Sequence, residues 1–178
     1  MEKIGFIGTG VMGSSMIKHL LNAGYPVRVY NRTKSRADAV VSEGAVWCDT
    51  PAAVTAQSDI VITMVGYPKD VEETYFGESG IFSKADDHHI LIDMTTSTPT
   101  LARKIAAFGK ESGVRTLDAP VSGGDKGAQN GTLTTMVGDE EGTFDAVEGV
   151  VSVFSSKVML QGPAGSEKKK KMANQIMV

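Results

Sequence analysis

The sequence predicts an α/β fold in which a doubly wound, mostly parallel sheet, with an extra strand–helix unit, is covered by helices on both faces. Strand-like apolar segments alternate along the chain with segments whose apolar residues recur at helical spacing. The segment Asp59–Val65 is almost entirely apolar, as expected for a parallel strand that is buried on both faces. The 178 residues suffice for one such domain, and a content of 41% hydrophobic and 22% charged residues is typical of globular proteins.

The first strand, Ile4–Ile7, runs directly into the turn Gly8-Thr-Gly-Val-Met-Gly13 and then into a helix that Asn22-Ala-Gly24 should end. In this pattern the first glycine allows a tight turn, the second lets the backbone approach a pyrophosphate, and the third lets the helix pack against the strand. The helix N-terminus also attracts anions. A purely structural turn is the alternative, but the flanking strand and helix favour a dinucleotide site in a Rossmann-type fold. The predicted cofactor contacts here are Gly8, Gly10, Val11, Met12 and Gly13.

The second strand, Tyr25–Tyr30, ends in Asn31-Arg-Thr-Lys34, at the position that decides cofactor choice in such folds. An acidic residue about twenty residues beyond the glycines binds the ribose hydroxyls of NAD, whereas an arginine accommodates the 2′-phosphate of NADP. Asn31 carries no charge that would repel a phosphate, Arg32 can pair with it and stack on adenine, and Thr33 adds a hydroxyl. An ordinary polar turn is the alternative. The pattern favours NADP over NAD.

The strand Asp59–Val65 ends in the loop Gly66-Tyr-Pro68. Loops at the carboxyl ends of parallel strands line the ligand crevice where the strand order reverses. Met64 and Val65 are therefore among the predicted cofactor contacts. The other elements predicted around this strand are a helix over 34–42, a short strand at Ala45–Trp47, a helix capped by Thr50-Pro51 and a helix from Lys69 to Phe76.

The next predicted strand, His88–Asp93, leads into a hydroxyl-rich loop and then a helix capped by Thr98-Pro99. Thr95 and Thr96 lie in that loop, and their hydroxyls either meet the cofactor or substrate or serve only the local structure. His88 and His89 are at the amino end of the strand, where neighbouring side chains point to opposite faces. We therefore expect no metal site.

A further strand, Gly113–Asp118, precedes the segment Ala119–Gly127, which is predicted to be a loop with accessible backbone N–H groups. Such a loop can hold a carboxylate, although a plain turn is equally compatible with the residues. The remaining predicted elements are a strand at Thr132–Val137, a helix starting at Asp139-Glu-Glu and a closing strand region at Val151–Leu160.

The net charge of −3 argues against a nucleic acid or an anionic membrane surface as the main partner. The single cysteine, Cys48, excludes an intramolecular disulfide and is interpreted as a small apolar core residue. The N-terminus reaches the first strand at once, without a signal peptide, and no apolar segment is long enough to span a bilayer. These features predict a soluble, cytoplasmic protein.

The segment Gly162–Val178 begins as a helix and stops before any capping signal. We expect two parts, a nucleotide-binding domain over 1–161 and the truncated start of an interdomain helix over 162–178. Lys171, Asn174 and Gln175 share one face of that helix by their spacing. Taken alone, the four lysines ending at Lys171 would be a solvated basic face.

Together these residues resemble the β-hydroxyacid dehydrogenase family, which includes 3-hydroxyisobutyrate dehydrogenase, tartronate semialdehyde reductase, glyoxylate/succinic semialdehyde reductase and, more distantly, 6-phosphogluconate dehydrogenase. The resemblance extends along the whole chain. The motifs that carry it are Gly8-Thr-Gly-Val-Met-Gly13, Asn31-Arg-Thr33, Asp93-Met-Thr-Thr96, Asp118-Ala-Pro-Val-Ser-Gly-Gly124, Gly131-Thr-Leu and Lys171-Met-Ala-Asn-Gln175.

The resemblance implies NADP-dependent hydride transfer between NADPH and a small aldehyde acid or 3-hydroxy acid. It implies that Lys171 is the catalytic acid/base, that Ser122, Gly123 and Gly124 bind the substrate carboxylate, and that Asn174 positions the substrate. Family members continue into an all-helical domain that completes the pocket and forms a homo-oligomer. Without it, this chain is expected to bind cofactor but to turn over little.

Two other functions remain open from the sequence, a non-catalytic dinucleotide-binding module and an imine-reductase-like enzyme. An inert module need not keep Lys171, and imine reductases generally lack both this lysine and the Ser122-Gly-Gly loop. One departure from the dehydrogenase pattern is the charged run from Glu167 to Lys170, where the family usually has small or polar residues.

Overall fold

The computed structural model describes residues 1–95, 98–138 and 143–161. The predicted site residues Thr96, Lys171 and Asn174, and the predicted helix start at Asp139, lie outside these ranges. The described strands are β1 (Ile4–Ile7), β2 (Val27–Tyr30), β3 (Val46–Trp47), β4 (Ile60–Thr63), β5 (Ile90–Asp93), β6 (Arg115–Asp118), β7 (Val121–Ser122), β8 (Leu133–Gly138) and β9 (Ser155–Gln161).

These strands form one sheet in the order β3-β2-β1-β4-β5-β6-β8-β7, with β9 added beside β8. All pairs from β3 to β6 are parallel, whereas β8 is antiparallel to β6 and β7 and parallel to β9. The predicted doubly wound, mostly parallel Rossmann-type sheet with an extra strand–helix unit is therefore confirmed. The order reverses at β1, which places the expected ligand crevice at the carboxyl ends of β1 and β4.

Two helices begin at the N-caps that the sequence predicts. Thr50 and Thr98 each accept a hydrogen bond from the backbone N–H three residues on, at 3.0 and 3.2 Å, so both predicted N-caps are present. The predicted helix over 34–42 starts as a 3₁₀ turn and becomes α-helical only at Asp38. The helices are α1 (Val11–Asn22), α2 (Asp38–Ser42), α3 (Pro51–Ala56), α4 (Pro68–Phe76), α5 (Pro99–Ser112), α6 (Gly124–Asn130) and α7 (Glu148–Val151).

Two apolar cores cover the two faces of the sheet. Along β4, Ile60 and Ile62 join one core while Val61 joins the other, as the period of two residues in a strand requires. The first core packs α1 onto the sheet through Met16, Ile17 and Leu20, and the second packs α3, α4 and α5. Because helices pack on both faces of the sheet, the position of the glycine turn between the carboxyl end of β1 and the start of α1 is fixed.

Cys48 is free and buried in the second core, and this burial raises the pKa of its thiol. In the part of the chain that the structure describes, no helix has the length and apolar character needed to cross a membrane.

The turn before β5 differs from its prediction. His88 and His89 were expected on opposite faces of a strand, but β5 starts at Ile90 and the two rings lie 4.0 Å apart between centroids. The buried His89 bonds to the carbonyl of Thr55 through Nε2 at 2.8 Å and to the backbone N–H of Asp86 through Nδ1 at 3.0 Å. A hydrogen bond from His88 to the Asp86 carboxylate raises the pKa of His88.

The segment Ala119–Gly127 also differs, because it is not one loop. It forms the short strand β7 and the first turn of α6. The ring nitrogen Nε2 of His19 on α1 lies 2.9 Å from the carbonyl oxygens of both Ala128 and Gln129 on α6. Residue Ala128 of α6 is fully buried, and α6 packs against α1. This packing stabilises α6, whose glycines are weak helix formers.

Candidate cofactor site

The glycine turn is built so that two of its glycines exclude any side chain. Gly8 is buried, has φ +111°, and a Cβ atom there would lie 1.9 Å from the carbonyl oxygen of Met64. A Cβ atom on Gly13 would lie 2.1 Å from the carbonyl oxygen of Gly8, because α1 starts directly against the turn. At Gly10, by contrast, a Cβ atom would meet nothing within 4 Å. Gly10 therefore faces open space at the N-terminus of α1, as a backbone that approaches a ligand would.

Asn31 braces this turn from the end of β2. Its Oδ1 accepts from the backbone N–H of Thr9 at 3.0 Å, and its Nδ2 donates to the carbonyl of Thr33 at 2.9 Å. On the other side, Ser14 Oγ donates to the carbonyl of Thr9 at 2.9 Å. An aspartate would keep the first of the two Asn31 bonds and lose the second, so the amide joins the glycine turn to the Arg32 loop.

A cleft of about 570 Å³ lies between the glycine turn, the end of β2 and helix α4. This volume lies within the range of about 300–1,000 Å³ that is usual for small-molecule sites. Val11, Met12 and Gly13 are not in the lining. Val11 is the exposed first residue of α1, and Met12 packs partly against the first core. The predicted contacts that do line the cleft are Gly8, Gly10, Asn31, Arg32, Thr33, Met64 and Val65.

Arg32 enters the cleft with 73% of its side chain exposed and pairs with the carboxylate of Asp70, which is only 18% exposed. Asp70 lies in the first turn of α4, where a negative charge is favourable at the helix N-terminus. Asp70 is not among the residues that the sequence predicts for this site. The feature of the sequence that could have indicated Asp70 is its place just beyond the loop that follows β4, because that loop is predicted to line the crevice.

The loops after β4 and β5 are joined through Thr95, which is buried. Its Oγ1 accepts from the backbone N–H of Val65 at 3.0 Å, and its own N–H donates to Asp93 Oδ1 at 3.0 Å. Thr63 Oγ1 donates to the same carboxylate oxygen at 3.0 Å and lies 3.0 Å from the hydroxyl of Tyr75. Burial, together with the charge of Asp93, raises the pKa of Tyr75 well above its usual value. This network fixes the wall of the cleft at Val65.

Ser122, Gly123 and Gly124 are exposed at the junction of β7 and α6. They are not among the residues that line the cleft. The structure thus brings predicted cofactor contacts from three separate segments together in one cleft, whereas the three predicted carboxylate contacts do not line it. The other two predicted substrate-site residues, Lys171 and Asn174, lie outside the described residues.

Residues 3–162 match the NAD-binding domain of 6-phosphogluconate dehydrogenase. An uncharacterized oxidoreductase of Bacillus subtilis is 54% identical over 99% of this chain and 62% of its own length. Among solved structures, Psf3 in complex with NADP⁺ and 2-OPP has a TM-score of 0.94 at 27% identity, over 98% of this chain and 62% of that chain. The 3-hydroxyisobutyrate dehydrogenase of Mycobacterium tuberculosis, solved with L-serine, has a TM-score of 0.93 at 32% identity, over 99% of this chain and 60% of that chain.

The chain therefore spans about three fifths of the length of each of these proteins. The sheet order, the glycine turn at its switch point and this match agree with one another. The chain belongs to the family of the NAD-binding domain of 6-phosphogluconate dehydrogenase, as the resemblance to β-hydroxyacid dehydrogenases predicted.

Proposed function

We propose that this chain is the cofactor domain of an NADP-dependent oxidoreductase of the β-hydroxyacid dehydrogenase type. Its reaction is hydride transfer between NADPH and a small aldehyde acid, such as a semialdehyde or glyoxylate, or the reverse oxidation of a 3-hydroxy acid. The observation that carries the proposal is the cleft, which brings the glycine turn and the guanidinium of Arg32 together. A backbone anion site and a cation in one cleft suit a dinucleotide with a 2′-phosphate.

Each part of the chain has its own task in this proposal. The N–H groups at Gly10 and Val11 bind the pyrophosphate, because Gly10 leaves the approach to α1 open. Arg32 and Thr33 bind the 2′-phosphate on the adenosine ribose of NADP. When bound, the nicotinamide supplies or accepts the hydride. Met64 and Val65 form a wall whose position is fixed by the bond from the Val65 N–H to Thr95.

The proton and the substrate are assigned by the family resemblance. Lys171 gives a proton to the developing alkoxide in reduction, or takes one from the alcohol in oxidation. Its ordinary pKa of about 10.4 must fall for it to act as a base near neutral pH, and partial burial or neighbouring cations lower the pKa of a lysine. Ser122, Gly123 and Gly124 bind the substrate carboxylate, and Asn174 positions the substrate.

The test is a titration of the chain with NADPH and, separately, with NADH, followed by fluorescence or calorimetry. We expect NADPH to bind more tightly. Arg32→Ala should weaken NADPH binding by about tenfold or more, since hydrogen bonds between charged groups contribute about 1.5–3 kcal/mol. NADH binding should change much less, because NADH lacks the 2′-phosphate.

The matched control is Arg103→Ala, which removes an exposed arginine on α5 that does not line the cleft. It should leave the affinities for both nucleotides unchanged. Equal binding of NADPH and NADH, or an equal loss of both in Arg32→Ala, would contradict the NADP assignment. If neither nucleotide binds to the parent chain, the proposed function fails as a whole.

A further inference from the structure

We propose that Asp70 is a specificity-determining residue that limits the preference for NADP and keeps NAD as a competing cofactor. This inference rests on the proposed function, because it concerns the same cleft. Its first support is the ion pair itself. The guanidinium that is proposed to bind the 2′-phosphate already pairs with the Asp70 carboxylate, which reaches it from 38 residues further along the chain.

The second support is the distribution of charge in the cleft. Its lining contains the cations Arg32 and Arg36, together with the carboxylates of Asp70, Glu73 and Glu78. Among these acids, Asp70 is the one that contacts Arg32 in the structure. A phosphate monoester carries about −1.5 to −2 charge at neutral pH, so it must share Arg32 with Asp70 or displace it. The carboxylate therefore opposes NADP, whereas the uncharged ribose hydroxyl of NAD meets no such repulsion.

The third support is the role of Asn31. Asn31, at the end of β2, holds the position of the acid in the NAD fingerprint. Its side-chain oxygen accepts from the Thr9 N–H and its side-chain nitrogen donates to the Thr33 carbonyl, so both groups of the amide are bonded within the protein. Asp70 brings a carboxylate into the cleft beside Arg32 from helix α4 instead. A carboxylate there can accept hydrogen bonds from ribose hydroxyls, which is the task of the fingerprint acid.

The experiment measures the dissociation constants of NADPH and NADH for the parent chain and for Asp70→Asn. The substitution keeps the size of the side chain and removes its charge, so it should tighten NADPH binding and weaken NADH binding. We expect the ratio of the NADH to the NADPH dissociation constant to rise by about tenfold, the factor that corresponds to about 1.4 kcal/mol. Asp70→Glu, which keeps the charge, should stay close to the parent ratio.

The matched control is Glu72→Gln, which removes the same charge from the same helix. The Glu72 carboxylate pairs with Lys104 on α5 and does not line the cleft, so the ratio should stay at the parent value. A second comparison places Asp70→Asn in an Arg32→Ala background. There the gain in NADPH affinity should shrink, because no guanidinium remains to be released from the carboxylate.

The outcomes separate the two proposals. If the parent binds NADPH but Asp70→Asn leaves the ratio unchanged or lowers it, Asp70 does not limit the preference and this inference is overturned. A ratio that rises equally in Glu72→Gln would also overturn it, since the effect would then be that of net charge. Circular dichroism of each variant shows whether the fold is intact. Failure of the parent to bind either nucleotide would instead overturn the proposed function.

Discussion

Gly8→Ala is expected to destabilise the chain by about 3 kcal/mol or more of unfolding free energy, enough to leave much of it unfolded. The added Cβ would lie 1.9 Å from the carbonyl oxygen of Met64, and the backbone at Gly8 has φ +111°, which L side chains rarely adopt. The backbone cannot shift to relieve the contact or the unfavourable φ without breaking a hydrogen bond, because the Gly8 N–H donates to the carbonyl of Tyr30 at 3.0 Å. Urea denaturation followed by circular dichroism measures the change.

Gly10→Ala is the control for this prediction, since it makes the same chemical change two residues away. A Cβ atom at Gly10 meets nothing within 4 Å, and its φ of −68° suits any residue. We expect the unfolding free energy to change by about 1 kcal/mol or less, the usual size of an N-cap effect. NADPH binding should nevertheless weaken strongly, because the methyl group occupies the approach to the pyrophosphate. A Gly8→Ala chain as stable as the parent would contradict the structure of the turn.

Lys171→Ala should lower the rate of hydride transfer by about 10²–10⁴-fold, the usual contribution of a positioned general acid or base. NADPH affinity should stay within about twofold, because the proposed role of Lys171 concerns the substrate oxygen and not the cofactor. Single-turnover loss of NADPH absorbance with glyoxylate or a semialdehyde gives the rate relative to the parent chain.

The control for Lys171 is its neighbour. The sequence predicts a helix over 162–178, and consecutive residues of a helix point in different directions, so Lys170→Ala should leave the rate close to that of the parent. The pH dependence adds a second readout. In the direction of alcohol oxidation, the rate of the parent should rise with pH, because a general base must be unprotonated to accept the proton, and Lys171→Ala should lose that dependence. Equal rates in Lys171→Ala and the parent would exclude the lysine as the acid/base.

The sheet was predictable because its strands are short apolar segments with turn residues on both sides. The strand β1 has the predicted bounds, Ile4–Ile7, and the caps at Thr50 and Thr98 lie where their side chains indicated. These features depend on residues close together in the chain. Seven of the residues predicted as cofactor contacts line the cleft for the same reason, since the switch-point rule relates the end of a strand to a place in the crevice.

The features that escaped prediction depend on contacts between distant segments. Asp70 has no local feature that connects it with Arg32, and only the fold brings the first turn of α4 to the loop that follows β2. The helix α6 contains two glycines and forms where His19 and α1 pack against it. At His88 and His89, the error was to extend β5 by two residues, into a turn that is closed by hydrogen bonds to Asp86. Tertiary contacts therefore explain Asp70 and α6. The turn at His88 and His89 is a local structure, which the apolar pattern of the strand did not reveal.

The order of the strands also bears on how the protein is made. From β1 to β6, each new strand pairs with one that precedes it in the chain, and each joins an open edge of the existing sheet. A polypeptide leaving the ribosome can therefore assemble this part of the sheet in the direction of synthesis, without inserting a late strand between two that are already paired. The glycine turn and Asn31 are in place once β4 has joined, α4 then adds the facing wall, and Thr95 fixes Val65 after β5. The crevice can therefore be complete before β6 is added.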